Sequence, residues 1–304
     1  MLIRLLITST FALIAGVAGA AGAQAAAVHA QIRPATAAAA HVNDALKLKS
    51  TAALVIDQDT DEVLFEKNAN AVQAIASITK LMTAMITVDA NLPMDEELTV
   101  TREDRTVGRM QSLLQPGVTI MRNQALQLAL MASENNAAQL LGRSYPGGVA
   151  AFVEAMNAKA QLLGMHESHF VDPTGLSADN RATPADLARL VKAAYDYPLI
   201  REYSTQTELQ LPIRKHMVRY RNTNRLTSSP DWQIGLQKTG FIAAAGRCLV
   251  MQAVIGGQRV VMVLLDSVGT YSRLGDAQRI RLWLQARKLV RNASLALNDT
   301  EPAR

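Results

Sequence analysis

The sequence of 304 residues has a single cysteine, Cys248, so no disulfide can form within one chain. Its place inside an apolar strand pattern predicts a small buried hydrophobe, not a reactive thiol. Aromatic residues make up only 4% of the chain, and despite a formal charge of +5 the basic residues are scattered, which argues against a nucleic-acid binder. The five histidines, His29, His41, His166, His169 and His216, show no His-x-x-x-His or comparable spacing, which argues against a zinc peptidase. No metal or organic cofactor is expected, and nothing marks a Ser-His-Asp triad. After the N-terminal segment no apolar run can span a bilayer, since the longest, Cys248 to Leu265, is broken by Gly256-Gly257-Gln258-Arg259.

What is present begins with Met1-Leu2-Ile3-Arg4 and an apolar run from Leu5 to Ala20, followed by small-x-small sites at Ala21-Gly22-Ala23 and Ala23-Gln24-Ala25. This pattern predicts a cleaved secretory signal peptide over residues 1–25 and a periplasmic mature protein without a transmembrane anchor. Residues 26–48 are alanine-rich with few large apolar side chains and read as a linker. A folded domain is expected over 49–292 and a flexible polar tail over 293–304.

Within that domain, Ala53-Leu54-Val55-Ile56 and Glu62-Val63-Leu64-Phe65, joined by a polar turn, predict a hairpin. Helical spacing of Leu81, Met85 and Val88 predicts a helix from Ser77 to Ala90, stopped by Asn91-Leu92-Pro93. Further helices are expected over 123–131, 136–143, 148–163 and 183–195. Three strand patterns follow, over 233–239, 247–255 and 259–266, and then a helix over 277–290. Strands at both chain ends around a helical middle predict an α+β fold, with an antiparallel sheet of about five strands and an inserted helical region.

Chemistry is concentrated in three short motifs. Ser77 and Lys80 lie three positions apart on a helix start, which places an amine beside a hydroxyl. A chain this long contains roughly one Ser-x-x-Lys by chance, and alone the pair is equally a helix cap and a solvated lysine. Two further motifs change that reading: Ser133-Glu134-Asn135 between predicted helices, and Lys238-Thr239-Gly240 at the end of a predicted strand. The three together, with aspartate in the middle of the second, mark penicillin-binding proteins and class A β-lactamases.

On these motifs and on Asp172-Pro173-Thr174-Gly175-Leu176, the chain resembles the serine D-alanyl-D-alanine peptidases of family S11 from about Ala53 to Trp283. The segments 133–138 and 238–251 look most like the endopeptidases of that family. Its members usually carry a proline before the Ala-Ser-x-Thr-Lys run, where this chain has Gln73-Ala74-Ile75-Ala76. The resemblance implies a DD-peptidase/β-lactamase-like fold, with peptidoglycan stems and cross-links as substrates and β-lactams as covalent inhibitors.

The resemblance also implies the roles. Ser77 is the acylating nucleophile, Lys80 the general base and Ser133 a proton relay, while Asn135, Lys238, Thr239 and Gly240 bind substrate. Backbone N–H groups of Ser77 and Phe241 form the oxyanion hole. Lys80 must lose its charge to act, and burial or a second cation, Lys238, is expected to supply the shift. No Glu-x-x-Leu-Asn segment lies between Asn135 and Lys238, so a β-lactamase that deacylates its penicilloyl-enzyme is disfavoured. A non-catalytic penicillin-binding sensor lacks a visible transmembrane relay. The motifs alone do not separate an endopeptidase from a carboxypeptidase. The absence of a C-terminal β domain and amphipathic anchor favours the endopeptidase.

Overall fold

The structure, a computed structural model, describes residues 46–106 and 112–298, with side chains as far as residue 290. The expected signal peptide and nearly all of the expected linker lie outside the described residues.

In chain order the elements are β1 (Ser50–Asp57), β2 (Val63–Lys67), β3 (Gln73–Ala74), a 3-10 turn (Ala76–Thr79), α1 (Lys80–Asp89), β4 (Glu97–Thr99) and β5 (Thr119–Met121). Next come α2 (Arg122–Gln127), which runs into a π turn (Leu128–Ala132), then α3 (Asn135–Arg143), α4 (Gly148–Leu162), β6 (Arg181–Ala182), α5 (Pro184–Tyr195) and α6 (Pro198–Thr205). The hairpin β7 (Glu208–Ile213) and β8 (His216–Arg221) precedes the long strands β9 (Gln233–Ile242), β10 (Gly246–Ile255) and β11 (Gln258–Ser267), and α7 (Ser272–Asn298) follows.

The main sheet has the order β2-β1-β11-β10-β9, and every neighbouring pair is antiparallel. Side chains alternate across it with period two. Ala52, Leu54 and Ile56 of β1, with Val261, Val263 and Leu265 of β11, enter the core shared with the inserted helices. Ala53 and Val55, with Val260, Met262 and Leu264, enter a second core beneath α7. Both faces are therefore covered, which is why β1 reads as an unbroken apolar run. The helix α7 meets its core through Ala277, Ile280 and Leu284, spaced for one helical face. Each aliphatic side chain so buried stabilises the fold by about 1.5–3 kcal/mol relative to exposure.

Helix α1 is buried almost all round: Leu81, Met82, Ala84 and Met85 are fully covered. It is the spine of the helical part and carries Lys80 on its first turn. Cys248 is fully buried, its thiol donates to the Ala245 carbonyl, and burial pushes its pKa up to about 11.

Three features differ from the sequence reading. The chain around Ser77 is a 3-10 turn, and regular α-helix starts only at Lys80. The pairs β3–β6 and β4–β5 are two or three residues long, too short to show a period, while Pro212 within β7 weakens its strand signal. Helix α7 begins at Ser272, not at residue 277, and continues to Asn298, into the segment expected to be a flexible tail.

Candidate active site

The segment before Ser77 is fixed by backbone pairing. Gln73 and Ala74 pair with Ala182 and Arg181, and the Ile75 N–H donates to the Asn180 carbonyl at 3.1 Å. This ladder holds the stretch in which the usual proline is missing. Ala76 then takes a left-handed conformation, φ +48°, at a cost of roughly 1–2 kcal/mol for a residue with a Cβ. Ser77 follows directly, half-exposed, and no side-chain capping bond occupies its hydroxyl.

Two glycines let neighbouring segments close on this turn. A Cβ on Gly175 would lie 2.0 Å from the Ala76 carbonyl oxygen, an impossible contact. A Cβ on Gly240 would lie 3.0 Å from the Ile75 carbonyl oxygen and 3.1 Å from the Ser77 nitrogen. The end of β9, an edge strand of the sheet, therefore abuts the Ser77 backbone.

Lys80 is 1% exposed, and its Nζ donates to Asn135 Oδ1 at 2.8 Å, to the Thr174 carbonyl at 2.6 Å and to Ser77 Oγ at 3.0 Å. An ammonium fills all three acceptors. A neutral amine keeps two donors and turns its lone pair to the Ser77 hydroxyl. Burial lowers the Lys80 pKa to about 7, against the opposing pull of Asp172 and Glu134.

The Thr174 carbonyl is aimed by Asp172, a residue to which the sequence reading gave no role. Its carboxylate accepts from Thr174 N and Oγ1 at 2.6 Å, Asn180 Nδ2 at 2.7 Å, Gly175 N at 2.8 Å and Ser177 N at 3.1 Å. Burial acts to raise its pKa, but these donors hold the carboxyl below its usual value. The adjacent Pro173 carbonyl accepts from Thr83 Oγ1 at 2.6 Å, which ties the loop to α1.

On the opposite side, the π turn ends at Ser133, left-handed at φ +58°. Glu134 caps α3 by accepting from the Asn136 N–H, so neither Ser133 nor Asn135 is used as the cap. Ser133 Oγ accepts from Lys238 Nζ at 2.9 Å, and the same amine donates to the Thr239 carbonyl at 3.0 Å. Thr239 Oγ1 lies 2.6 Å from Thr223 Oγ1, a second contributor that the sequence reading missed. Lys238 is fully buried, and its pKa falls well below the usual lysine value through burial, then through the positive charges of Lys80 and Arg273. For both lysines burial is the first cause of the lowered pKa, and the two positive charges oppose each other.

Direct hydrogen bonds join Ser77, Lys80 and Asn135 into one group and Ser133, Lys238 and Thr239 into another, with Gly240 packed on the Ser77 turn. Phe241 follows at the strand end, its ring 40% exposed with the Arg247 guanidinium 4.6 Å from its centroid.

The sequence profile of the D-alanyl-D-alanine carboxypeptidase family, peptidase S11, matches residues 36–269. The chain belongs to this family. Among its S11 relatives, a D-alanyl-D-alanine endopeptidase of Pseudomonas aeruginosa is 46% identical over 242 residues, covering 79% of this chain and 78% of its own. The D-alanyl-D-alanine endopeptidase of Escherichia coli is 42% identical, covering 83% of this chain and 82% of its own. In three dimensions the chain is similar to penicillin-binding protein D2 of Listeria monocytogenes in its ampicillin-bound form, with TM-score 0.67, 31% identity, and coverage of 76% of this chain and 95% of the other. The S11 fold thus agrees with the α+β architecture described above. Among the described residues no helix is long and apolar enough to cross a membrane.

Proposed function

We propose that this protein is a periplasmic serine endopeptidase that hydrolyses D-alanyl cross-links of peptidoglycan through an acyl-enzyme on Ser77. The observation that carries the reading is the buried Lys80 amine, 3.0 Å from Ser77 Oγ, with its pKa lowered to about 7. A base of that strength is half neutral at physiological pH, where it can take the hydroxyl proton as the oxygen attacks the D-alanine carbonyl.

The tetrahedral oxyanion sits between the backbone N–H groups of Ser77 and Phe241, an arrangement favoured by the contact of Gly240 with the Ser77 backbone. Collapse of the intermediate expels the amine of the second stem peptide, and Ser133 relays a proton to it. Asn135 accepts from Lys80 through Oδ1, which leaves its amide donors to the peptide backbone of the substrate. The carboxylate next to the scissile bond lies against Lys238 and Thr239. Water, activated by Lys80, then releases the acyl group. The catalytic domain in this reading spans residues 49–292, and residues 1–25 direct its export.

A carboxypeptidase acting on pentapeptides uses the same groups. The endopeptidase reading is preferred because the relatives at 42–46% identity bear that name over most of their length. β-Lactams are expected to acylate Ser77 and remain bound. The test has two arms. Fluorescent penicillin should label the wild type covalently and leave Ser77→Ala unlabelled. Purified cross-linked muropeptide dimers should yield monomers while monomeric pentapeptide keeps its terminal D-alanine; trimming of the pentapeptide with intact dimers would overturn the endopeptidase assignment.

A further inference from the structure

The segment from β8 into the following loop alternates strictly in exposure. Val218, Tyr220, Asn222 and Asn224 turn inward to varying degrees, while Arg219, Arg221, Thr223 and Arg225 are exposed. Thr223 is the member of this row that touches the active site, through its hydroxyl contact with Thr239 at 2.6 Å. The row therefore leads out of the groove from the side on which, in the endopeptidase reading, the leaving group lies.

Of the three arginines two are engaged. Arg219 pairs with Glu208, and the Arg225 guanidinium lies 5.4 Å from the Tyr271 ring centroid. Arg221 stands across from Glu208 in the β7–β8 register, yet that carboxylate is taken by Arg219. Among the described residues the Arg221 side chain has no hydrogen-bond, ion-pair or ring partner. It sits two positions from Thr223, a separation of roughly 7 Å in extended chain, and a bound peptide in extended form has the same spacing.

We infer that Arg221 is a specificity residue that binds a carboxylate of the second stem peptide, beyond the one next to the scissile bond. This rests on the endopeptidase reading and deepens it. The leaving group of a pentapeptide is a single D-alanine, whose only carboxylate is spent at Lys238 and Thr239. The leaving group of a cross-link is an entire acidic peptide that continues past Thr223, and a planar guanidinium matches its next carboxylate in charge and shape. The row thus makes catalytic efficiency depend on a part of the substrate that carboxypeptidase substrates lack.

The test compares wild type, Arg221→Glu and Arg221→Lys on purified muropeptide dimers, on dimers with amidated second-stem carboxylates, and on fluorescent penicillin, which has no second stem. For the acidic dimer, kcat/KM is expected to fall about tenfold or more in Arg221→Glu and less in Arg221→Lys. The amidated dimer should erase most of that difference, and the penicillin acylation rate should change by less than about twofold. Equal cleavage of the acidic dimer by wild type and Arg221→Glu would overturn the inference alone. An equal loss toward penicillin would also overturn it, by showing a general disturbance of the site. A wild type that leaves dimers intact would instead remove the endopeptidase reading, and this inference with it.

Discussion

Lys80 and Lys238 are the same residue type, both fully buried, and both hydrogen-bonded to an active-site serine, yet their surroundings assign them opposite electrostatic roles. Lys80 faces three oxygen acceptors and feels the negative charges of Asp172 and Glu134, which keep its pKa near 7 against the cost of burial. Lys238 has two oxygen partners and feels cations, Lys80 and Arg273, which act in the same direction as burial. Burial lowers both pKa values; the nearest charges oppose that shift at Lys80 and add to it at Lys238. In the proposed mechanism the first amine exchanges protons at neutral pH. The second is placed to meet a substrate carboxylate.

The comparison is most severely tested by removing the amines. Lys80→Met keeps volume and burial but deletes the base, and penicillin acylation should fall by about 10²–10⁴-fold at pH 7. The corresponding Lys238→Met change should act mainly on substrates that carry the carboxylate, with kcat/KM lower by about 10²-fold and a smaller effect on substrates in which that group is amidated. Equal sensitivity of charged and amidated substrates would erase the distinction between the two lysines.

A smaller effect concerns what holds Lys80 near neutrality. In the wild type only neutral Lys80 accepts a proton, so the acylation rate should fall about tenfold per pH unit below about 7 and level off above it. Asp172 raises the Lys80 pKa through its charge, so Asp172→Asn should move that acid limb to lower pH. Loosening the Thr174 carbonyl should also lower the plateau, by about tenfold. A plateau loss without movement of the limb would leave Asp172 a purely structural tie.

Much of this was legible in the sequence because the signals were local. The long strands β1, β9, β10 and β11 carry apolar runs and clear turn residues, and helices α1, α3, α4 and α5 carry helical spacing. Ser77, Lys80 and the two other motifs stand out by their residue types. Thr223 and Asp172 did not stand out, since their work is done by a contact across the fold and by a network that aims the carbonyl of another residue. Main-chain acceptors such as Thr174 have no side-chain signature at all. The 3-10 turn at Ser77 was hidden for a similar reason: pairing with Arg181–Ala182 and the close approach of Gly175 and Gly240 impose it from outside.

The tie between the two ends of the domain has a consequence for how the protein comes to be folded. Strand β1 is flanked by β2 and β11, and its first residue, Ser50, gives its N–H and its hydroxyl to buried Asp276, a separation of 226 positions. A central sheet whose first strand waits for nearly the last has high contact order, and such topologies fold slowly. As the chain is made from its N-terminus, β1 and β2 have no sheet to join until β11 and the start of α7 have emerged. The two halves of the central sheet are thus separated by most of the chain until the last strands are made. The groove at Ser77 closes only after β9 has taken its place at the sheet edge, so reactivity waits on the assembly of the sheet.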